Sequence, residues 1–131
     1  MNVCKSYKRE DGSFLSTFSL RDIPFEVQRV FLVSSSDNKI CQRGAHAHYE
    51  GRQLLICVSG KIEINYENRE GKGTLQLNPG ESYSHSNLEW LDVVFKEKNS
   101  LLLSFCSDEY NEEDYIRDYK IFQKVLDNLS H

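Results

Sequence analysis

The stretch KIEINYENREGKGTLQLNPG, Lys61 to Gly80, decides the fold. Ile62, Ile64 and Tyr66 alternate with Lys61, Glu63, Asn65 and Glu67. A period of two, with one apolar and one charged face, is the pattern of a half-buried strand. After the turn residues ENREGKG the alternation resumes. Leu75 and Leu77 fall on one face, Thr74, Gln76 and Asn78 on the other, and Pro79-Gly80 closes the run with a turn.

The same reading extends in both directions. FEVQRVFLV (Phe25 to Val33), RQLLICVSG (Arg52 to Gly60), LDVVF (Leu91 to Phe95) and LLLSFCS (Leu101 to Ser107) are apolar or β-branched runs of strand length. SSSDNK, ENREGKG, NPGES and KEKNS punctuate them as turns. Many short strands with frequent turns predict an all-β sandwich or barrel. One segment departs from this. NEEDYIRDYKIFQKVLDNL, residues 111–129, places Asn111 as a cap and Glu112, Glu113 and Asp114 in a first turn, where acids suit the helix dipole. Ile116, Tyr119, Phe122 or Ile121, Val125 and Leu129 form an approximate apolar stripe. A C-terminal helix over 111–129 is therefore expected to lie on a β body spanning residues 1–108, the whole forming one domain.

The chain has 131 residues, of which 39% are hydrophobic and 27% charged, with a formal net charge of −4. This length supports one core. No Lys/Arg cluster suggests a nucleic-acid surface, and no run approaches the ~20 apolar residues of a membrane span. MNVCKSYKREDGSF has no apolar h-region, so no secretory leader is expected and a cytoplasmic protein is. Cys4, Cys41, Cys57 and Cys106 form no CxxC pair and are read as free thiols in a reducing compartment. Cys57 and Cys106, inside apolar runs, are read as small core residues.

RGAHAHYEGRQLLICVSG, Arg43 to Gly60, carries the chemistry. In a strand, residues two apart point the same way. His46 and His48 therefore share one face, and the small Ala45 and Ala47 share the other. Two imidazoles on the concave face of a barrel can bind a metal or move a proton.

The spacing His46-Ala-His48, four residues, Gln53, six residues, Gly60 resembles the first motif of the cupin superfamily. That resemblance implies an RmlC-like jelly-roll barrel. Gln53 occupies the place where metal-binding cupins carry a glutamate. LNPGESYSHSNLEW holds His85 near the place where a second motif brings a further histidine ligand.

Three stretches resemble a narrower family, the metal-independent nucleotide-sugar 3,4-ketoisomerases. They are IPFEVQRVFLV (Ile23 to Val33), RGAHAHYEGRQ with its Arg-Gly-x-His-Ala-His, and SDEYNEEDYIRDYKIF (Ser107 to Phe122), whose Asp114-Tyr115-Ile116-Arg117 is the most specific. The resemblance implies an isomerase that moves a ketone between C4 and C3 of a dTDP-linked 4-keto-6-deoxyhexose through an enediol. It implies neither metal nor cofactor. It also implies a role in making unusual deoxy or amino sugars and a two-fold homodimer with exchanged N-terminal strands. His46 corresponds to the proton-shuttling base, and His48 to the histidine that orients the sugar or relays a proton. Arg43 is expected to hold the diphosphate or polarise the carbonyl, or else to pair at a strand end. Gln53 is expected to orient a histidine or the sugar, or to serve a turn. Trp90 is expected near the sugar. His85 either replaces a lost contact there or is a surface strand residue. Tyr115 and Arg117 are expected to pin the helix. Leu91 follows Trp90 where the family has histidine or another basic residue, and Asp11-Gly12 replaces Arg-Gly or Tyr-Gly. A metal-dependent cupin using His46, His48 and His85, and a sugar-nucleotide binder without chemistry, are the alternative readings.

Overall fold

The computed structural model describes residues 4–35 and 41–129; the side chains of Phe14 and of residues 41–44 lie outside that description. The strands are β1 (Cys4–Lys8), β2 (Phe14–Phe18), β3 (Arg29–Ser34), β4 (Cys41–His48), β5 (Gln53–Ser59), β6 (Ile62–Asn68), β7 (Gly71–Leu77), β8 (Ser82–His85), β9 (Trp90–Phe95), β10 (Leu101–Cys106) and β11 (Tyr115–Ile116), followed by the helix α1 (Tyr119–Leu129). Two sheets face each other, one ordered β3-β10-β5-β8 and the other β11-β4-β9-β6-β7, and β1-β2 form a separate hairpin. Pairing is antiparallel throughout. This is the expected all-β jelly roll.

The alternating stretch behaves as its period requires. Ile62 and Ile64 pair with Leu77 and Leu75, and their side chains enter the core between the sheets with Leu55, Cys57, Leu91, Val93, Phe95 and Leu102. The run LLIC reads as continuously apolar because β5 is buried on both faces. Leu55 and Cys57 face the inter-sheet core, while Leu54 and Ile56 pack outward with Ile23 and Phe105 beneath Phe18, Phe25 and Val27. Pro79-Gly80 is a turn, with the Glu81 amide donating to the Asn78 carbonyl at 2.9 Å and Gly80 at φ +89°, a conformation that favours glycine.

The C-terminal segment differs from expectation. The helix begins at Tyr119, not Asn111. Asn111 instead caps a single 3-10 turn, Glu112–Asp114. Tyr115 and Ile116 then pair with His48 and Ala47, which takes their backbone out of any helix. Asp118 is the true cap, its Oδ1 accepting from the amides of Lys120 at 2.8 Å and Ile121 at 3.3 Å. Phe122, fully buried, anchors the helix against Ala47, Ile116 and Trp90 on the outer face of the five-stranded sheet, and Ile121 is exposed.

Candidate active site

His46 and His48 project from β4 on the face opposite Ala47, as the period of two dictates. Their ring centroids lie 4.9 Å apart, with the planes nearly perpendicular. His85, on the facing sheet, completes a triangle at 6.2 Å from His46 and 5.7 Å from His48. It is 1% exposed, so the surface reading of this histidine does not hold. Gln53, buried on β5, is the cross-strand partner of His85.

A cavity of about 260 Å³ opens over His46, Gln53 and His85, while His48 lines a narrow cleft beside it. His46, Gln53, His85, Tyr115 and Arg117 form its polar part, and Phe31, Leu55, Leu91, Val93, Phe95 and Leu102 belong to its apolar part. Leu91 is the cross-strand neighbour of His46, so this position does lie at the site. Trp90 does not. Successive strand residues face opposite ways, and Trp90 points outward, edge-on to Tyr119 at 5.3 Å and tilted against Phe122 at 5.5 Å. Arg43 sits on β4 opposite Val93, with its side chain outside the described residues. Asp11 serves the β1–β2 turn, accepting from the amide and hydroxyl of Ser13 at 2.9 and 2.6 Å.

Burial governs the electrostatics. It pushes the His46 imidazole down to about 3, helped by the neighbouring His48 and His85, and His85 down to about 4. His48 is also lowered by burial, with Asp114 partly opposing the shift. All three rings are neutral near pH 7. His85 has one nitrogen committed, its Nε2 donating to the Glu89 carbonyl at 2.8 Å. The Glu89 carboxylate accepts in turn from Tyr83 Oη at 2.8 Å and Asn68 Nδ2 at 2.7 Å. Both His46 nitrogens are buried without a hydrogen-bond partner among the described residues.

Two cavity residues were read from the sequence as helix anchors. The Tyr115 ring lies 4.3 Å from His48 and 4.9 Å from His46. Arg117, held by Glu112 at 2.6 and 2.9 Å, stacks its guanidinium over the Tyr115 ring at 4.3 Å. Arg29, given no role from the sequence, lines a narrow cleft beside the cavity with His48 and Tyr115, and its Nε is buried without a protein partner. The signal for it was present in β3, where the alternation that puts Phe31 and Val33 inward puts Arg29 inward too. Among the described residues, no group of three His, Cys, Asp or Glu side chains is arranged to hold a metal ion.

A jelly roll with a histidine-lined cavity between its sheets is the architecture of a cupin. Residues 2–127 match the family described as FdtA: WxcM-like, C-terminal, and the chain belongs to that family. It is 25% identical over 120 residues to the TDP-4-oxo-6-deoxy-α-D-glucose-3,4-oxoisomerase of Aneurinibacillus thermoaerophilus, covering 91% of this chain and 86% of that protein. The structure is similar to that of QdtA, a sugar 3,4-ketoisomerase from Thermoanaerobacterium thermosaccharolyticum solved with TDP (TM-score 0.84, 28% identity, 95% and 91% coverage). A histidine-to-asparagine variant of QdtA has been solved with TDP-4-keto-6-deoxyglucose. A 3,4-ketoisomerase from Helicobacter canadensis superposes with a TM-score of 0.82 at 29% identity, covering 96% and 95% of the two chains.

Proposed function

We propose that this protein is a TDP-sugar 3,4-ketoisomerase that moves a ketone between C4 and C3 of a 4-keto-6-deoxyhexose by histidine proton transfer. The observation that carries the reading is His46, a neutral imidazole on the cavity wall with both nitrogens free of partners among the described residues. The hydrogen on C3, next to the C4 ketone, is weakly acidic, and its removal needs a positioned base. His46 takes that proton, the C4 oxygen takes one up from water, and an enediol forms between C3 and C4. His46 returns its proton to C4 while the C3 hydroxyl gives up its own, which offsets the one the C4 oxygen gained, and C3 becomes the ketone. Bonds and electrons balance within the sugar, so no redox partner is required. An imidazole with no protein hydrogen bond on either nitrogen can accept and return a proton without breaking the fold's own contacts.

The cavity volume supports a hexose as occupant. About 260 Å³ lies just below the ~300 Å³ at which drug-sized ligand sites begin, enough for a sugar ring but not for a whole nucleotide-sugar. The apolar part of the wall suits a 6-deoxy carbon. Arg43, Gln53 and His85 are the groups proposed to hold the substrate's polar atoms. We also propose a homodimer formed through the N-terminal hairpin and the free edge of β3.

Incubation with TDP-4-keto-6-deoxyglucose in D₂O, followed by NMR, tests the chemistry. The ketone should appear at C3 with deuterium at C4, and the rate should survive a chelator. Substrate bound without ketone transfer or deuterium uptake would leave a binding protein without chemistry. Loss of activity to the chelator, restored by one metal, would establish the metal-dependent alternative.

A further inference from the structure

We propose that Asp114 is a positioning residue that holds His48 in its Nδ1–H tautomer, so that Nε2 of a ring packed against the cavity residues His46, His85 and Tyr115 carries the free lone pair. Asp114 Oδ2 lies 3.2 Å from His48 Nδ1. The same carboxylate accepts the Gly51 amide on Oδ2 at 3.1 Å and the Glu50 amide on Oδ1 at 2.9 Å, and its backbone carbonyl accepts the Tyr49 amide at 2.9 Å. A carboxylate placed among amide donors accepts and has no proton to give. The His48 nitrogen that faces it must therefore be the donor, and the other nitrogen, Nε2, is the bare one. That Nε2 is buried and has no hydrogen-bond partner among the described residues.

The arrangement is built by two segments far apart in the chain. Tyr115 pairs with His48 between β11 and β4, which brings the preceding residue, Asp114, against the turn that follows β4. Gly51 makes room for it, since a Cβ there would come within 2.8 Å of Asp114 Oδ2 and 3.5 Å of His48 Nδ1. The glycine, the carboxylate and the histidine are one unit.

The consequence is a division of labour between two histidines that the sequence presents as equivalent. His46 has no partner on either nitrogen among the described residues, so its tautomer is free to change as it takes and returns a carbon proton. His48 is locked by Asp114 and can serve only as an acceptor while neutral. Because it is locked, it suits a hydroxyl proton that must be received, such as the one shed from the C3 oxygen as that oxygen becomes a ketone, and it then releases that proton to water. Asp114 stabilises the imidazolium that results, as a carboxylate behind a catalytic histidine does.

The kinetic part of this inference rests on the proposed isomerase activity, and the tautomer part does not. Imidazole ¹⁵N NMR on histidine-labelled protein without ligand, with the His48 signals assigned by their loss in His48→Asn, reads the tautomer directly. His48 should carry its proton on Nδ1 in the wild-type protein and lose that bias in Asp114→Asn. With TDP-4-keto-6-deoxyglucose, Asp114→Asn should lower kcat on the order of 10²-fold, the scale expected when a partner that orients a histidine is removed, with KM changed only a few-fold. A wild-type His48 protonated on Nε2 would overturn the proposal, whether or not the variant folds. So would an Asp114→Asn variant with an altered tautomer and an unchanged kcat. A wild-type protein that shows the Nδ1–H tautomer but no turnover would count against the isomerase reading and leave the positioning role of Asp114 standing.

Discussion

His46 and Leu91 meet across β4 and β9, and the two side chains make separable predictions. His46→Asn removes the base while keeping a polar group of similar reach. Turnover should fall by about 10²–10⁴-fold, the usual contribution of a positioned general base, with the circular-dichroism spectrum unchanged. A near-normal rate in the deuterium assay would remove His46 from the mechanism. Leu91 contributes apolar wall where relatives of this family are expected to carry a basic side chain. An apolar wall discriminates weakly between sugars that differ at a hydroxyl, whereas a hydrogen-bonding one discriminates strongly. Leu91→His should therefore change the product ratio or the rate, read from the anomeric NMR signals of the products. Unchanged values would place the position outside the sugar's reach.

At the scale of elements, the short β11 and α1 carry more than their length suggests. Tyr115, between the 3-10 turn and the helix, is held against the histidines by its pairing with β4, and α1 clamps that pairing from outside through the fully buried Phe122. Phe122→Ala should cost about 3–5 kcal/mol, the range for deleting a buried aromatic ring. Urea unfolding should show the loss as a lower midpoint. Its activity should fall as well, because the clamp on β11 loosens. A variant with the wild-type midpoint would show that the helix contributes little to the barrel.

At the scale of the whole molecule, two properties stand out. The first is an apolar outer surface. Val30 and Leu32 on β3 are 51% and 62% exposed, and Tyr7 and Leu15 on the hairpin 59% and 63%. An open strand edge beside such side chains invites pairing, and the proposed two-fold dimer would cover both. Light scattering at micromolar concentration should give twice the chain mass, and Leu32→Glu should shift it toward the monomer. The second is acid sensitivity. The His46 and His85 pKa values lie at about 3 and about 4, below the ordinary 6.5, so the unfolded chain binds more protons than the folded one. Stability is complete above about 6.5 and is lost as pH falls toward the folded values. Between pH ~6.5 and ~5 most carboxylates remain ionised, so a falling melting temperature in that window reports the histidines. It should fall less steeply in His46→Asn.

Local period determined a good deal by itself. The alternation of Ile62, Ile64, Leu75 and Leu77 fixes which face of each strand enters the core, because side chains two apart in a strand point the same way. The same rule puts His46 and His48 together and Ala47 behind them, and Pro79-Gly80 stops its strand wherever the sheet lies. What only the tertiary structure decided depends on pairing between distant segments. Trp90 and Leu91 must face opposite ways, but the sequence does not say which is inside; the register of β9 against β4, with Leu91 beside His46, settles it. His85 reads equally as a site contact and as a surface strand residue until β8 pairs with β5 and turns it toward the cavity. The acidic run Glu112 to Asp114 looks like a helix start because caps and charges are local signals. The helix begins later because Tyr115 and Ile116 find strand partners in β4, and a backbone amide can serve only one of the two structures. The approach of Asp114 to His48 across a separation of 66 positions is likewise a product of that pairing, and no spacing within either segment contains it.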